Sequence, residues 1–193
     1  MLWIKICGLT TVEAVDAAVR AGADAVGFVF APSKRQVTTA QAATLARAVP
    51  ARVARVAVMQ HPSQALVDEV CEMFAPDVLQ TDADDLLSLR VPQQLQIMPV
   101  IRDGQNFASP LPARILYEGK ASGAGLTADW SRAQSVAKQT QLVLAGGLNE
   151  RNVAAAIAVV TPYGVDVSSG VEAAPGIKDT SKIEAFIRAA RTA

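Results

Sequence analysis

Short apolar runs alternate with amphipathic stretches from one end of the chain to the other. The apolar runs are rich in β-branched residues and are bounded by glycine, proline or polar residues, which is typical of buried strands. They predict eight strands, over residues 3–9, 25–30, 53–59, 78–81, 96–102, 114–118, 142–147 and 164–170. No linker or low-complexity segment separates them, so we expect one domain over residues 1–193.

The stretches between the strands carry apolar residues at three- and four-residue spacing, which predicts helices. The predicted helices cover residues 11–22, 38–49, 62–75, 82–89, 130–139, 149–160 and 181–193. Residues 103–113 contain Gly104 and two prolines, so helix 5 is expected to be short or absent. This alternation predicts an α/β fold, a minimal single-domain (β/α)8 TIM barrel, with an open doubly wound sheet as the alternative.

The composition limits the kinds of partner that the protein can bind and the kinds of reactive site that it can form. Basic and acidic residues number 18 each, and no polybasic run offers a surface for nucleic acid or an anionic membrane. No apolar run reaches the roughly 18 residues of a membrane span, and a secretory signal pattern is lacking, so we expect a cytoplasmic protein with a small-molecule partner. A single histidine, His61, and two cysteines, Cys7 and Cys71, argue against a metal site. We expect Cys71 to pack as a small apolar side chain and His61 to be a polar loop residue.

Cys7 lies near the end of the first predicted strand, immediately before a glycine. In (β/α)8 barrels the reactive residues lie at the carboxyl ends of the strands, which makes Cys7 a candidate for catalysis. Alternation along the strand places Lys5 on the same face. A lysine inside a barrel requires a counter-charge, and Asp166 on the neighbouring eighth strand is the candidate, with Ser168 following on its face.

Two glycine-bearing segments end the seventh and eighth strands, LAGGLN and VSSGVE. In barrels of this kind the loops after these strands commonly bind phosphate, since glycine lets backbone N–H groups approach its oxygens. Gly146, Gly147, Ser169 and Gly170 are therefore the candidate phosphate cradle.

Several motifs resemble one known family. They are KICGLT, DAVGFVFAPS followed by Arg35, LAGGLNERNV, and GVDVSSGVEAAPGIKD with its trailing KIEAFI. Together they are similar to phosphoribosylanthranilate isomerase of tryptophan biosynthesis. The resemblance implies conversion of N-(5′-phosphoribosyl)anthranilate to 1-(2-carboxyphenylamino)-1-deoxyribulose 5-phosphate by acid–base catalysis without a cofactor.

The resemblance also implies roles for individual residues. Cys7 matches the family's general base, and Glu118 falls where the family has an aspartate as general acid. Arg35 matches the arginine that meets the anthranilate carboxylate, a task suited to a planar fork of donors. Arg102 matches a recurrent arginine that serves the substrate or the local charge balance.

The chain departs from the family pattern at several positions. Where the family usually has QLHG, residues 80–83 are QTDA, so Gln80 is kept while Asp82 replaces the histidine. Glu118 is one methylene longer than aspartate, and the glycine loop in SGAGLTADW, residues 122–130, lacks a glycine and a Ser/Thr. These departures leave two alternatives open: a related phosphosugar isomerase or epimerase, or a non-catalytic phosphosugar-binding barrel. A monomer and a homodimer are both compatible with the sequence.

Overall fold

The computed structural model describes residues 1–105, 110–119 and 128–193. Eight parallel strands form a closed barrel in sequence order, so β1 pairs with both β2 and β8. Their bounds are β1 Trp3–Cys7, β2 Ala25–Val29, β3 Ala54–Val58, β4 Val78–Asp82, β5 Gln96–Arg102, β6 Arg114–Glu118, β7 Gln141–Leu144 and β8 Gly164–Val167. The predicted barrel is confirmed, and the open sheet is wrong, because pairing of β1 with β8 leaves no sheet edge.

Six α-helices surround the barrel in the described residues. They are α1 Val12–Ala21, α2 Thr39–Ala46, α3 Gln64–Met73, α4 Trp130–Ala137, α5 Val153–Val160 and α6 Thr180–Arg191. Side chains cap the N-termini of several helices. The Thr11 hydroxyl, for example, accepts a hydrogen bond from the Ala14 N–H at the start of α1. Gly22 ends α1 in a left-handed conformation, with φ of 93°.

The helix predicted over residues 82–89 is wrong, because the structure has only a 3₁₀ turn there, Asp85–Leu87. The Asp85 carboxylate accepts hydrogen bonds from the Thr81 hydroxyl and from the His61 N–H, contacts that hold this segment against the strand ends. After β5, the described residues 103–105 and 110–113 contain no helix. The rest of that loop, and residues 122–127 of the SGAGLTADW loop, lie outside the described residues.

Several predicted strands end earlier than expected, and the largest differences are in β7 and β8. β7 stops at Leu144 and β8 at Val167, so Gly146 and Gly147 after β7 and Gly170 after β8 lie in turns. Gly146 and Gly147 have φ of 91° and 64°, values that a strand does not allow. After β8 the chain forms a 3₁₀ turn, Ser169–Val171, and a small antiparallel pair, β9 Glu172–Ala174 and β10 Ile177–Lys178, before α6 begins.

The core has two layers, as expected from alternation along the strands. Inside the barrel, a small cluster includes Ala25, Val56, Met98 and Leu116. A larger cluster fills the space between the strands and the helices. In the described part of the chain, no helix is long and apolar enough to cross a bilayer.

Candidate active site

A cavity of about 200 Å³ opens at the carboxyl ends of the strands. It brings together most of the residues that the sequence singled out. The predicted site residues that line it are Cys7, Arg35, Gln80, Arg102, Glu118, Asp166 and Ser168. They come from β1, β4, β5, β6, β8 and the loops after β2 and β8, so only barrel closure places them side by side.

Cys7 is the last residue of β1 and is only 6% exposed. It lies in register with Gly27 on β2, and a Cβ atom at Gly27 would stand 3.1 Å from both Cys7 Sγ and Lys5 Cε. Because Gly27 has no side chain, the Cys7 thiol and the Lys5 side chain both fit next to β2. This role is not among those predicted from the sequence, although a glycine inside the apolar run AVGFVF is a usable signal.

Lys5 forms the predicted ion pair with Asp166 inside the barrel, with Nζ 2.8 Å from Oδ1. The two residues are also in register across β1 and β8. Burial alone would lower the pKa of Lys5, but the charge of Asp166 and its hydrogen bond to the ammonium group raise it above its ordinary value. Lys5 thus stays an ammonium ion next to the Cys7 thiol.

Burial raises the pKa of the Cys7 thiol, and the Asp166 charge adds to this effect. The positive charges of Lys5 and Lys178 act in the opposite direction but do not outweigh the loss of hydration. The protonated thiol is therefore the main form near neutrality. The thiolate is a minor form that Lys5 stabilises.

Glu172 holds two basic side chains in place at the entrance of the cavity, on the side of β8. Its carboxylate accepts two hydrogen bonds from Arg35, at 2.6 Å to Nε and 3.0 Å to Nη2, and a third from Lys178 Nζ at 2.9 Å. Burial alone would raise the pKa of Glu172, but these hydrogen bonds lower it to about 2. Lys178 also donates to the Ser168 carbonyl oxygen, at 2.8 Å, and fixes the turn after β8.

The roles of Glu172 and Lys178 were missed at the sequence level. Both lie within motifs that carry the family resemblance, GVDVSSGVE and PGIKD. Arg35 and Glu172 are 137 residues apart in sequence, so their pairing is visible only in the fold. Arg35 is therefore not a surface arginine; it is held in place with one edge of its guanidinium on Glu172.

On the opposite side of the cavity, Arg102 bridges two carboxylates. Its Nη2 lies 2.7 Å from Asp82 Oδ1, and its Nε lies 3.3 Å from Glu118 Oε1. Gln80 is 6% exposed, and its Oε1 has no hydrogen-bond partner among the described residues. A buried amide oxygen without a partner is unfavourable, which favours a ligand donor at this position.

His61 reaches the rim next to Asp82. Its Nδ1 lies 2.8 Å from Asp85 Oδ1, and its Nε2 lies 3.5 Å from Asp82 Oδ2. The ligand atoms of these three residues fall within 4.8 Å of one another. Hydrogen bonds from Thr81 and from the His61 N–H already occupy Asp85, and Arg102 holds Asp82, so we interpret the cluster as a hydrogen-bonded network.

The candidate phosphate cradle lies in the turns after β7 and β8. The N–H groups of Gly147, Ser169 and Gly170 donate no hydrogen bond to another residue in the described ranges, as an anion site requires. Ser169 lines a second cavity of about 490 Å³ together with Arg35 and Glu172. A Cβ atom at Gly170 would stand 1.9 Å from the Leu148 carbonyl oxygen, so this glycine is also required for contact between the two loops.

Fold and site together define a class: a (β/α)8 barrel that presents a thiol, carboxylates and arginines in a cavity at the carboxyl ends of its strands, as barrel enzymes do. Comparison with known proteins narrows the class. A model of the N-(5′-phosphoribosyl)anthranilate (PRA) isomerase family matches residues 4–189. The chain belongs to this family.

Individual relatives agree with this assignment. An N-(5′-phosphoribosyl)anthranilate isomerase of Streptococcus pneumoniae serotype 19F (strain G54) is 44% identical over 191 residues, which cover 97% of this chain and 94% of that protein. The crystal structure of phosphoribosyl anthranilate isomerase from Thermotoga maritima matches with a TM-score of 0.85 and 31% identity, covering 100% of both chains. Another phosphoribosyl anthranilate isomerase, solved in complex with reduced 1-(o-carboxyphenylamino)-1-deoxyribulose 5-phosphate, matches with a TM-score of 0.82 and 30% identity over 100% of both chains.

Proposed function

We propose that this protein isomerises N-(5′-phosphoribosyl)anthranilate to 1-(2-carboxyphenylamino)-1-deoxyribulose 5-phosphate, with Glu118 as general acid and Cys7 as general base. The observation that carries the proposal is that both side chains line one cavity although β1 and β6 are not neighbours in the barrel. Two groups on opposite sides of the mouth can address opposite faces of one sugar without neutralising each other.

The first step opens the furanose ring. Glu118 gives its proton to the ring oxygen while the bond between that oxygen and C1′ breaks. The electron pair of the anthranilate nitrogen forms the new C–N double bond, which gives a protonated Schiff base. Glu118 is left as a carboxylate, next to Arg102.

The second step moves a proton from carbon. Cys7 acts as its thiolate and takes the proton from C2′, and the C–H electrons form the enolamine as the C–N double bond becomes single. The enolamine then becomes the ketone of the product by gaining a proton at C1′ while the C2′ hydroxyl loses its proton and forms the carbonyl. The Lys5 ammonium supplies the positive charge that favours the thiolate. These steps require no cofactor and no metal.

The remaining predicted site residues bind the substrate in this proposal. Turns containing Gly146, Gly147, Ser169 and Gly170 take the phosphate through backbone N–H groups. Arg35 meets the anthranilate carboxylate with the guanidinium edge that Glu172 does not occupy. The unpaired oxygen of Gln80 accepts from a substrate hydroxyl, and Asp166 and Ser168 complete the wall near Cys7.

The test generates the unstable substrate in situ and follows the loss of its fluorescence with purified protein. Cys7→Ala and Glu118→Gln should each lose at least about a hundredfold in kcat, since positioned acids and bases contribute this much. Cys71→Ala, which removes the thiol on α3, should keep wild-type activity. Full activity in Cys7→Ala would refute the base, and full activity in Glu118→Gln would refute the acid.

Substrate range and binding separate the alternatives. Turnover of another phosphosugar in preference to phosphoribosylanthranilate would favour a related isomerase or epimerase. Binding of the product without turnover by the wild-type protein would favour a non-catalytic barrel. We further expect a cytoplasmic protein, acting as a monomer or homodimer, which sedimentation equilibrium would distinguish.

A further inference from the structure

Arg102 at the end of β5 joins two carboxylates at the mouth of the barrel. Its shorter contact, 2.7 Å, goes to Asp82 on β4, and its longer contact, 3.3 Å, goes to Glu118 on β6. The side chains of Asp82, Arg102 and Glu118 are only 9%, 16% and 12% exposed. They share one poorly hydrated region, where charge balance matters more than at an open surface.

Counting charges shows what Asp82 does there. With Asp82 ionised, the trio with Arg102 is neutral when Glu118 is protonated and negative when Glu118 is ionised. Without the Asp82 carboxylate, the trio would be positive with Glu118 protonated and neutral with Glu118 ionised. Because net charge is costly in a buried site, Asp82 favours the protonated acid.

The far side of Asp82 is occupied by His61 and Asp85. His61 Nε2 lies 3.5 Å from Asp82 Oδ2, and hydrogen bonding to Asp85 raises the pKa of His61. Protonation of His61 at lower pH therefore adds a positive charge beside Asp82. The His61 side chain is 70% exposed, so water and salt screen this charge more than they screen Arg102.

Few other charged groups of the described residues face Glu118. β7 brings no charged side chain over Gln141–Leu144. Asp103, next to Arg102, accepts a hydrogen bond from the Tyr117 hydroxyl. The charged or ionisable side chains that line the same cavity are Cys7, Arg35, Asp82, Arg102 and Asp166. Lys120 lies outside the described residues.

We propose that Asp82 is a positioning residue of the reaction: it engages Arg102 so that Glu118 can hold the proton that it donates. This inference rests on the proposed function of Glu118 as general acid. It assigns a task to a residue at which the chain departs from its family's usual histidine. Asp82 acts through Arg102 and does not need to touch the substrate.

A carbon-13 NMR titration of the Glu118 carboxyl tests the proposal directly. The protein is labelled at glutamate, and the resonance is assigned by its loss in Glu118→Gln. In Asp82→Asn the titration midpoint of Glu118 should fall by about one pH unit, because the negative charge that offsets Arg102 and disfavours ionised Glu118 is removed. kcat/KM near neutrality should fall about tenfold, since a smaller share of Glu118 carries the proton.

Asp85→Asn is the matched control. It removes a neighbouring carboxylate that contacts Thr81 and His61 rather than Arg102, so the Glu118 midpoint should move by less than about 0.3 pH unit. Asp82→His also removes the carboxylate and serves if Asp82→Asn does not fold. Adding Arg102→Gln to Asp82→Asn should return the midpoint toward the wild-type value, because the positive charge beside Glu118 is then removed as well.

An unchanged Glu118 midpoint in Asp82→Asn and Asp82→His would overturn the proposal. An equally large shift in Asp85→Asn would also overturn it, because the effect would then be general to nearby negative charge. A wild-type protein without turnover would overturn the proposed function instead. The NMR titration would still decide whether Asp82 controls the protonation of Glu118.

Discussion

Glu172 holds the cations Arg35 and Lys178 at the mouth of the barrel, and Glu172→Gln removes its charge at nearly constant shape. Its carboxylate takes hydrogen bonds of 2.6 and 3.0 Å from Arg35 and of 2.9 Å from Lys178. The variant leaves two neighbouring cations without their counter-charge in a largely buried region. We expect the folded state to lose stability and Arg35 to lose its fixed orientation.

The pKa of Glu172 sets the size of the effect. It lies at about 2 instead of the ordinary 4.5, a difference that corresponds to about 3 kcal/mol of folding free energy at neutral pH. For a chain of this length, such a loss lowers Tm by about 6–12 °C. KM for the proposed substrate should rise as well, because Arg35 no longer presents its free edge to the cavity.

The pH dependence follows from the sign of the shift. Because the pKa is lower in the folded state, the stabilisation is fully present above pH 4.5 and is lost as the pH falls toward 2. The difference in unfolding free energy between wild type and Glu172→Gln should therefore shrink to about two fifths of its neutral value by pH 3.

Urea unfolding followed by circular dichroism between pH 7 and pH 3 measures this difference. Glu184→Gln, at an exposed position on α6, is the control and should change the stability by less than about 0.5 kcal/mol. Equal stability of wild type and Glu172→Gln at pH 7 would refute the argument. A difference that stays constant down to pH 3 would show that lost packing, rather than lost charge, is responsible.

Three further predictions concern the thiol and the turns. Gly27→Ala, whose new methyl would lie 3.1 Å from Cys7 Sγ, should reduce kcat about tenfold or more while the protein stays folded, as fluorescence assays and circular dichroism would report. Gly170→Ala should lower Tm by about 6 °C or more, because its Cβ would stand 1.9 Å from the Leu148 carbonyl oxygen. The control Gly22→Ala, which has open space around it, should lower the free energy of unfolding by only about 1 kcal/mol. The rate at which iodoacetamide alkylates Cys7, measured by mass spectrometry, should increase with pH. The midpoint should lie above that of a free cysteine, since burial raises the pKa of the Cys7 thiol. A midpoint below 8 would contradict this expectation.

The strand and helix pattern was predictable because it depends on local periodicity. A buried parallel strand reads as a short apolar run, and eight such runs separated by amphipathic stretches specify the barrel. The same local logic located Cys7 at a strand end and Lys5 inside the barrel. Asp166 followed from barrel closure, since β8 must lie next to β1.

Local pattern failed where a segment's contacts override its periodicity. Residues 82–89 have a helical pattern, yet contacts of Asp85 with His61 and Thr81 hold this segment as a single 3₁₀ turn. The glycines after β7 were expected inside a strand, but positive φ values place them in a turn. In the first case the contacts that override the helical pattern come from the loop after β3 and from β4. In the second case the glycine backbone itself adopts a turn conformation.

The sequence by itself determined the barrel, the strand-end position of the thiol and the family, because these depend on periodicity and on motifs written in consecutive residues. Only the tertiary structure decided which charges balance one another. Glu172 with Arg35, Asp82 with Arg102 and Glu118, and the space that Gly27 leaves beside Cys7 all join strands and loops far apart in the chain. Such pairings depend on the three-dimensional position of side chains at one barrel rim, and burial there sets their energies.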